Sequence, residues 1–306
     1  MTRPILVTGI HRSGTGWVGR MLAASPSPRV AYLWEPFSPK HRPGVCDAIF
    51  PQWFTYVCEE NAGPYTAGIR DMLSFRYKPS AEAREVRSVP DVLRLGRDWS
   101  RFVRYRKERA VPLMKDPIAV FSSEWLAEAF DMHVVMLIRH PAAFAASLKR
   151  LNWTHPFQDF LRQPLLMRDH LDPWREEIEH QADHPSGALD QAILLWRLVH
   201  TAILKFVGRH HEWVPLRLED IAVDPIGRFR SLFGTLGLTF DDHVTATILA
   251  HSNGSSPAVS TSLSSVKRDS ARSITMWKTT LTRQEIDRVR TRLDPLWREF
   301  YDDDDW

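Results

Sequence analysis

The sequence predicts an α/β fold, a central parallel sheet flanked by helices. Three observations carry this. Short apolar runs rich in β-branched residues alternate with stretches of helical spacing, the order that builds parallel sheets. The clearest run, His133-Val134-Val135-Met136-Leu137-Ile138, is followed at once by Pro141, which suits the first turn of a helix. The chain has 306 residues, 43% hydrophobic and 25% charged, enough to bury a core, and shows no internal repeat. One domain over 1–306 is expected.

Taken in order, Pro4 to Thr8 reads as a buried strand ending at Gly9. Trp17 to Ala24 has helical spacing and stops before Pro26 and Pro28. Val30 to Leu33 reads as a second strand. Residues 38–110 open with a stretch rich in proline and aromatics and weakly periodic, a long excursion that ends in a helix over Asp91 to Arg109. Val111 to Met114 predicts a strand, Val120 to Phe130 a helix, His133 to Ile138 a strand and Pro141 to Arg150 a helix. More helices run to about residue 210, then a strand over Trp213 to Leu218, and a last long helix from near Thr282. The run Asp302 to Asp305 is expected to be a solvated, frayed end.

Lys and Arg number 40 against 37 Asp and Glu, a net charge of +3. This excludes a strongly basic nucleic-acid coat and an acidic disordered tail. Two cysteines, Cys46 and Cys58, make no disulfide framework, and no signal-like segment precedes the first strand, so a reduced, cytoplasmic setting is expected. Ala188 to Val207 is apolar but interrupted by Asp190, Arg197, His200 and Lys205, which reads as a core helix and not a membrane span. His180 and His184 stand at i, i+4 on a polar helix with no third ligand, so no metal is expected.

The first strand runs into Gly9-Ile10-His11-Arg12-Ser13-Gly14-Thr15-Gly16-Trp17. Gly9 and Gly14 have the spacing of a phosphate-cradling loop, after a strand and before a helix, where backbone N–H groups and the helix dipole favour an anion. Such a loop ordinarily continues Gly-Lys-Ser/Thr. Here Thr15 and Gly16 follow Gly14, and the basic residue is Arg12, two places earlier. Arg139 closes the clearest strand, beside a helix start, and its planar fork suits a phosphate.

Arg12-Ser13-Gly14-Thr15-Gly16-Trp17 resembles the 5′-phosphosulfate loop of sulfotransferases that use 3′-phosphoadenosine-5′-phosphosulfate (PAPS). The resemblance implies a P-loop NTPase-like sulfotransferase fold. It implies that Arg12 grips the phosphosulfate, that Ser13 to Gly16 cradle it, and that Trp17 stacks on adenine. Arg139, with Ser147 eight residues on, resembles the family's pair for the 3′-phosphate. Arg217-Leu218-Glu219-Asp220-Ile221 with Asp224-Pro225 is similar to its R-Y-E-D-L…D-P segment, with Leu218 where tyrosine is usual. Lys267 and Arg268 stand where a basic loop covers the donor, and Trp277-Lys278 resembles the W-K turn before the last helix. By the same resemblance, residues 38–110 would hold the acceptor-side lid and 252–280 the donor-covering loop.

Sulfuryl transfer needs a base for the acceptor hydroxyl and cations for the leaving phosphate, which Lys or Arg can supply in place of magnesium. Tyr32-Leu33-Trp34-Glu35-Pro36 resembles a string of carbohydrate 6-O-sulfotransferases, making Glu35 the candidate base, desolvated by Trp34, Pro36 and Phe37. His11 is the rival base, since histidine titrates in the right range. Lys115, in Met114-Lys115-Asp116-Pro117, stands where the glycosaminoglycan enzymes carry K-S/T-P and would assist the leaving group. Its structural alternative is an ion pair with Asp116 or another carboxylate.

Arg94, Arg97, Arg101 and Arg104 recur at helical spacing, with Val92, Leu95, Trp99, Phe102 and Val103 opposite and free for the core. Arg97 and Arg101 are therefore candidate contacts to an acidic acceptor. The reading is a PAPS-dependent sulfotransferase acting on a small-molecule or glycan hydroxyl, with no nucleic-acid partner. The alternatives are a P-loop kinase with a degenerate loop, which would need magnesium, and a non-catalytic polyanion-binding module.

Overall fold

The computed structural model describes residues 3–252 and 274–306. Its sheet holds β1 (Ile5–Gly9), β2 (Val30–Trp34), β3 (Val111–Lys115), β4 (His133–Ile138) and β5 (Val214–Arg217). The spatial order is β2-β3-β1-β4-β5, and each pairing is parallel. The connection after β1 leads outward to β2 and that after β4 leads the other way to β5. The carboxyl ends of β1 and β4 therefore flank a switch point, where open α/β sheets bind ligands.

Four helices bear on the argument: α1 (Thr15–Leu22), α2 (Val89–Lys107), α3 (Pro141–Leu151) and α4 (Ala188–Arg209). The sheet's two faces are served by alternate residues. Ile5, Val7, Val135 and Leu137 join the layer containing α1 and Phe229. Leu6, Val134 and Met136 join the layer containing α3 and α4. Both faces are covered, which is why β1 and β4 read as unbroken apolar runs. Pro215 lies on β5, at the sheet edge, where a missing N–H costs no ladder bond. Among the described residues α4 is the one helix long and apolar enough to cross a membrane, and most of that stretch is buried inside the fold.

Three expectations are corrected. The helix foreseen over 120–130 is a 3-10 turn at Val120–Ser122 and then an α-helix at Ser123–Phe130. The acidic run 302–305 is not frayed: Asp305 accepts from Arg217 at 2.8 Å, and Arg290 and Arg298 pair with Asp303. The third concerns α2. Of its expected core face only Phe102 is buried, with Leu95 partly so; Val92, Trp99 and Val103 are exposed. The reason is a polar anchor. Asp98 is buried against the Arg42 guanidinium, which also holds the buried Glu82. A buried carboxylate must keep its partner, so the helix is turned to place Asp98 inward.

Histidines packed among aromatic rings make the fold acid-sensitive. Burial lowers the pKa of His155 and His200 to about 3, and of His170 to about 4. Burial and neighbouring cations lower His140 to about 3 and His11 to about 4. A base whose folded pKa lies below its unfolded value of about 6.5 binds fewer protons when folded, so stability rises with pH. The stabilisation is complete above about pH 6.5 and is lost as pH falls toward 4 for His11 and His170 and toward 3 for the others, at up to about 1.4 kcal/mol per unit for each histidine. Buried Asp116, raised to about 7, and Glu219, also raised by desolvation, act oppositely but are outnumbered. Melting followed by circular dichroism should drop by about 10 °C or more between pH 7 and pH 5; a flat profile would show these rings protonate freely in the fold.

Candidate active site

The loop after β1 is shaped by what lies against it. At Gly9, φ is +146° and a Cβ would stand 2.4 Å from the Leu137 carbonyl oxygen of β4, so only glycine lets the strands meet. At Gly14, φ is +93° and a Cβ would meet Leu218 at 2.5 Å. Between them Arg12 takes a left-handed φ of +64°, rare for a residue with a side chain. The Ser13 N–H donates back to the Ile10 carbonyl at 3.2 Å, closing the turn. Gly14 caps α1, whose first N–H groups have no partner within the helix and face outward for an anion. The buried Ser13 hydroxyl has no hydrogen-bond partner among the described residues.

The two phosphate signatures meet here. Arg12 Nε donates to Ser147 Oγ at 3.1 Å, and the Arg139 guanidinium donates to the Arg12 carbonyl oxygen. Arg139 is held by its own carbonyl, which accepts from the buried Trp196 indole at 2.9 Å. Trp17 packs edge-on against Phe229, ring centroids 5.5 Å apart.

The segment 217–221 supports this corner. Glu219 accepts from the His140 N–H at 3.1 Å and from the Tyr301 hydroxyl at 2.9 Å, tying the end of β4 to the last part of the chain. Trp277 is buried and stacks on His140 at 5.0 Å. Lys267 and Arg268, and most of the loop at 252–280, lie outside the described residues.

Across the cleft, the register of β2 on β3 sets Trp34 beside Lys115. The Glu35 N–H then donates to the Lys115 carbonyl at 2.9 Å, and the Lys115 ammonium pairs with the Glu35 carboxylate. Glu35 itself is left-handed, with φ of +41°, a second constrained residue with a side chain at this site. The partner of Lys115 is thus Glu35, and Asp116 has another task. Asp116 is buried and accepts from the Phe37 N–H at 2.7 Å and the Ile118 N–H at 3.1 Å, which pins the turn carrying Glu35 onto β3. The hydrophobic flank expected around Glu35 is not there: Trp34 is 55% exposed and Phe37 turns into the core.

His11 sits among Phe144, Phe54 and Trp153, with the Phe144 ring 5.4 Å away. Burial and the Arg12 charge hold its pKa near 4, so it is neutral at pH 7 and does not titrate in the range that recommended it as a base. Arg97 and Arg101 do not join the cleft. Arg101 pairs with Asp98 at 2.7 Å, and Arg97 approaches the same carboxylate at 3.5 Å.

His11, Arg12, Gly14, Thr15, Gly16, Trp17, Glu35 and Lys115 line one open cleft, together with Trp34, expected only as a flank of Glu35, and with Arg20, Tyr32, Pro117 and Trp153, to which sequence reasoning gave no role. A signal was present for two of these: Tyr32 and Trp34 alternate with the core residue Leu33, so they share the opposite face of β2. Trp153 gave none. It follows the helix end at Asn152 and reaches the loop only in three dimensions, with the Arg12 guanidinium 5.7 Å from its ring centre.

An arginine-bearing glycine loop facing a carboxylate–ammonium pair at the switch point of a parallel sheet is a setting suited to group transfer. The chain belongs to the sulfotransferase family, whose model matches residues 4–242, and it is a sulfotransferase. Its fold resembles the sulfotransferase domain from the curacin biosynthetic pathway, at 14% identity and a TM-score of 0.49 over 96% of this chain and 98% of that one. It also resembles the sulfotransferase domain of the Synechococcus PCC 7002 olefin synthase, at 15% identity and a TM-score of 0.48 over 99% and 97%. A third likeness is mouse sulfotransferase SULT7A1 complexed with PAP, at 12% identity and a TM-score of 0.43 over 96% and 85%. No curated protein matches the sequence.

Proposed function

We propose that the chain moves a sulfuryl group from PAPS to an acceptor hydroxyl on a carbohydrate or glycoconjugate. The observation that carries this is the meeting of Arg12, Ser147 and Arg139, remote in sequence, around one loop. The loop and Arg12 would hold the 5′-phosphosulfate, with the orphan Ser13 hydroxyl supplying a donor. Arg139 and Ser147 would hold the 3′-phosphate and Trp17 the adenine, with Lys267 and Arg268 closing over the donor. Glu35 takes the proton as the acceptor oxygen bonds to sulfur. The bond from sulfur to the bridging oxygen of the 5′-phosphate breaks, and Arg12 and Lys115 balance the charge left on adenosine-3′,5′-bisphosphate (PAP). A carbohydrate acceptor is supported by the Glu35-Pro36 string and by aromatic rings, Trp34 and Trp153, at the cleft.

Because cations of the chain neutralise the leaving group, turnover should persist in EDTA, and Arg12→Ala should abolish it. Labelled PAPS with an acceptor screen measures both. Loss of activity in EDTA with rescue by magnesium would instead favour the kinase reading.

A further inference from the structure

We infer that α2 is a peripheral membrane-binding element that lies flat on an anionic lipid surface. Three stripes run along this 19-residue helix. Leu95, Asp98, Phe102 and Tyr105 recur at spacings of three, four and three and face the protein. Val89, Val92, Leu93, Trp99 and Val103 fall together on another face and are exposed, Leu93 by 70% and Trp99 by 52%. Arg94, Arg97, Arg101 and Arg104 form a third stripe alongside them. The exposed apolar stripe therefore has guanidinium groups along its whole length and an aromatic near its middle, the make-up of an interfacial helix.

Charge decides the occupant. Between 89 and 109 the chain has seven basic residues and three acidic ones, an excess larger than the net +3 of the whole molecule. The acids account for only part of the basic charge: Asp91 pairs with Arg94 at 2.6 Å, Asp98 with Arg101 at 2.7 Å and Glu108 with Arg29 at 3.2 Å, whereas Arg104, Arg106, Lys107 and Arg109 make no ion pair among the described residues. A second copy of the chain would bring two arginine rows together in a self-complementary contact. A bilayer of anionic lipids meets both stripes at once: the headgroups take the arginines, and Leu93 and Trp99 enter the acyl boundary.

The test is co-sedimentation of the whole protein with vesicles of equimolar phosphatidylcholine and phosphatidylglycerol, and with phosphatidylcholine alone. Binding is expected to the anionic vesicles, to weaken as salt is raised, and to be slight on the neutral ones. The double variant Leu93→Ser, Trp99→Ser should lower partitioning by about tenfold or more, with thermal melting unchanged because both side chains are exposed. Arg104→Gln with Lys107→Gln should also lower it by about tenfold. No binding by the wild type overturns the proposal, as does binding that survives Leu93→Ser, Trp99→Ser. A concentration-dependent dimer that this variant abolishes, without vesicle binding, overturns it in favour of a second copy.

Discussion

Glu35→Gln is expected to leave PAP binding intact and lower turnover by about 10²–10⁴-fold, the usual worth of a general base. The variant keeps the size and the β2–β3 contact of residue 35 but removes the proton acceptor. It also releases the Lys115 ammonium from its present partner. If Lys115 serves the leaving group, donor affinity should not fall and should rise slightly, since one more cation faces the phosphosulfate. The measurements are steady-state kinetics with PAPS and calorimetry with PAP. Activity that survives Glu35→Gln and fails in His11→Asn would move the base to His11, despite the burial and neighbouring Arg12 that make that ring a weak base.

Arg139→Ala is expected to weaken PAP by about 2–5 kcal/mol, the cost of leaving a buried charge without its partner, and to weaken AMP far less. The comparison matters because Arg139 has two tasks. It faces the 3′-phosphate in the proposed complex, and it holds the carbonyl of Arg12 while that residue is left-handed. Loss of the first task removes the preference for PAP over AMP. Loss of the second lowers both affinities together. Ser147→Ala separates them further: it leaves the Arg139 contact in place and should cost about 1 kcal/mol, selectively for PAP. Calorimetry that finds equal affinity of the wild type for PAP and AMP would remove the 3′-phosphate assignment altogether.

The order of strands and helices was legible because both sheet faces are covered. The central strands β1 and β4 then carry the apolar stretches Ile5 to Val7 and Val134 to Ile138, and Pro141 marks the helix start after β4. The loop after β1 was legible because its backbone demands are local: glycine at 9 and 14, where φ is positive, and a helix start directly behind. Arg139 and Ser147 were read from a family resemblance, and their contact with the loop is a fact of the β1–β4 pairing.

What sequence reasoning assigned differently has one physical origin: partners of charged groups are chosen in space. For Lys115 the sequence left the partner open between Asp116 and another carboxylate; successive strand residues point to opposite faces, and the β2–β3 register brings Glu35 to it. His11 read as a near-neutral base because its ordinary pKa says so, whereas a ring of Phe54, Phe144 and Trp153 removes its water. The apolar residues of α2 have helical spacing on paper that suits a core, yet the helix is turned by Asp98, whose partner Arg42 lies 56 residues away.

By itself, then, the sequence determined a parallel α/β sheet and an arginine-bearing, glycine-rich loop at its first turn. These follow from local backbone geometry and from periodicity, which neighbouring residues impose on one another. Only the tertiary structure decided which carboxylate meets Lys115, that His11 is a weak base, and that the arginine helix shows an apolar face to the outside. Those outcomes depend on desolvation and pairing between segments far apart in the chain, where a buried charge must find its counterpart wherever the fold has put it.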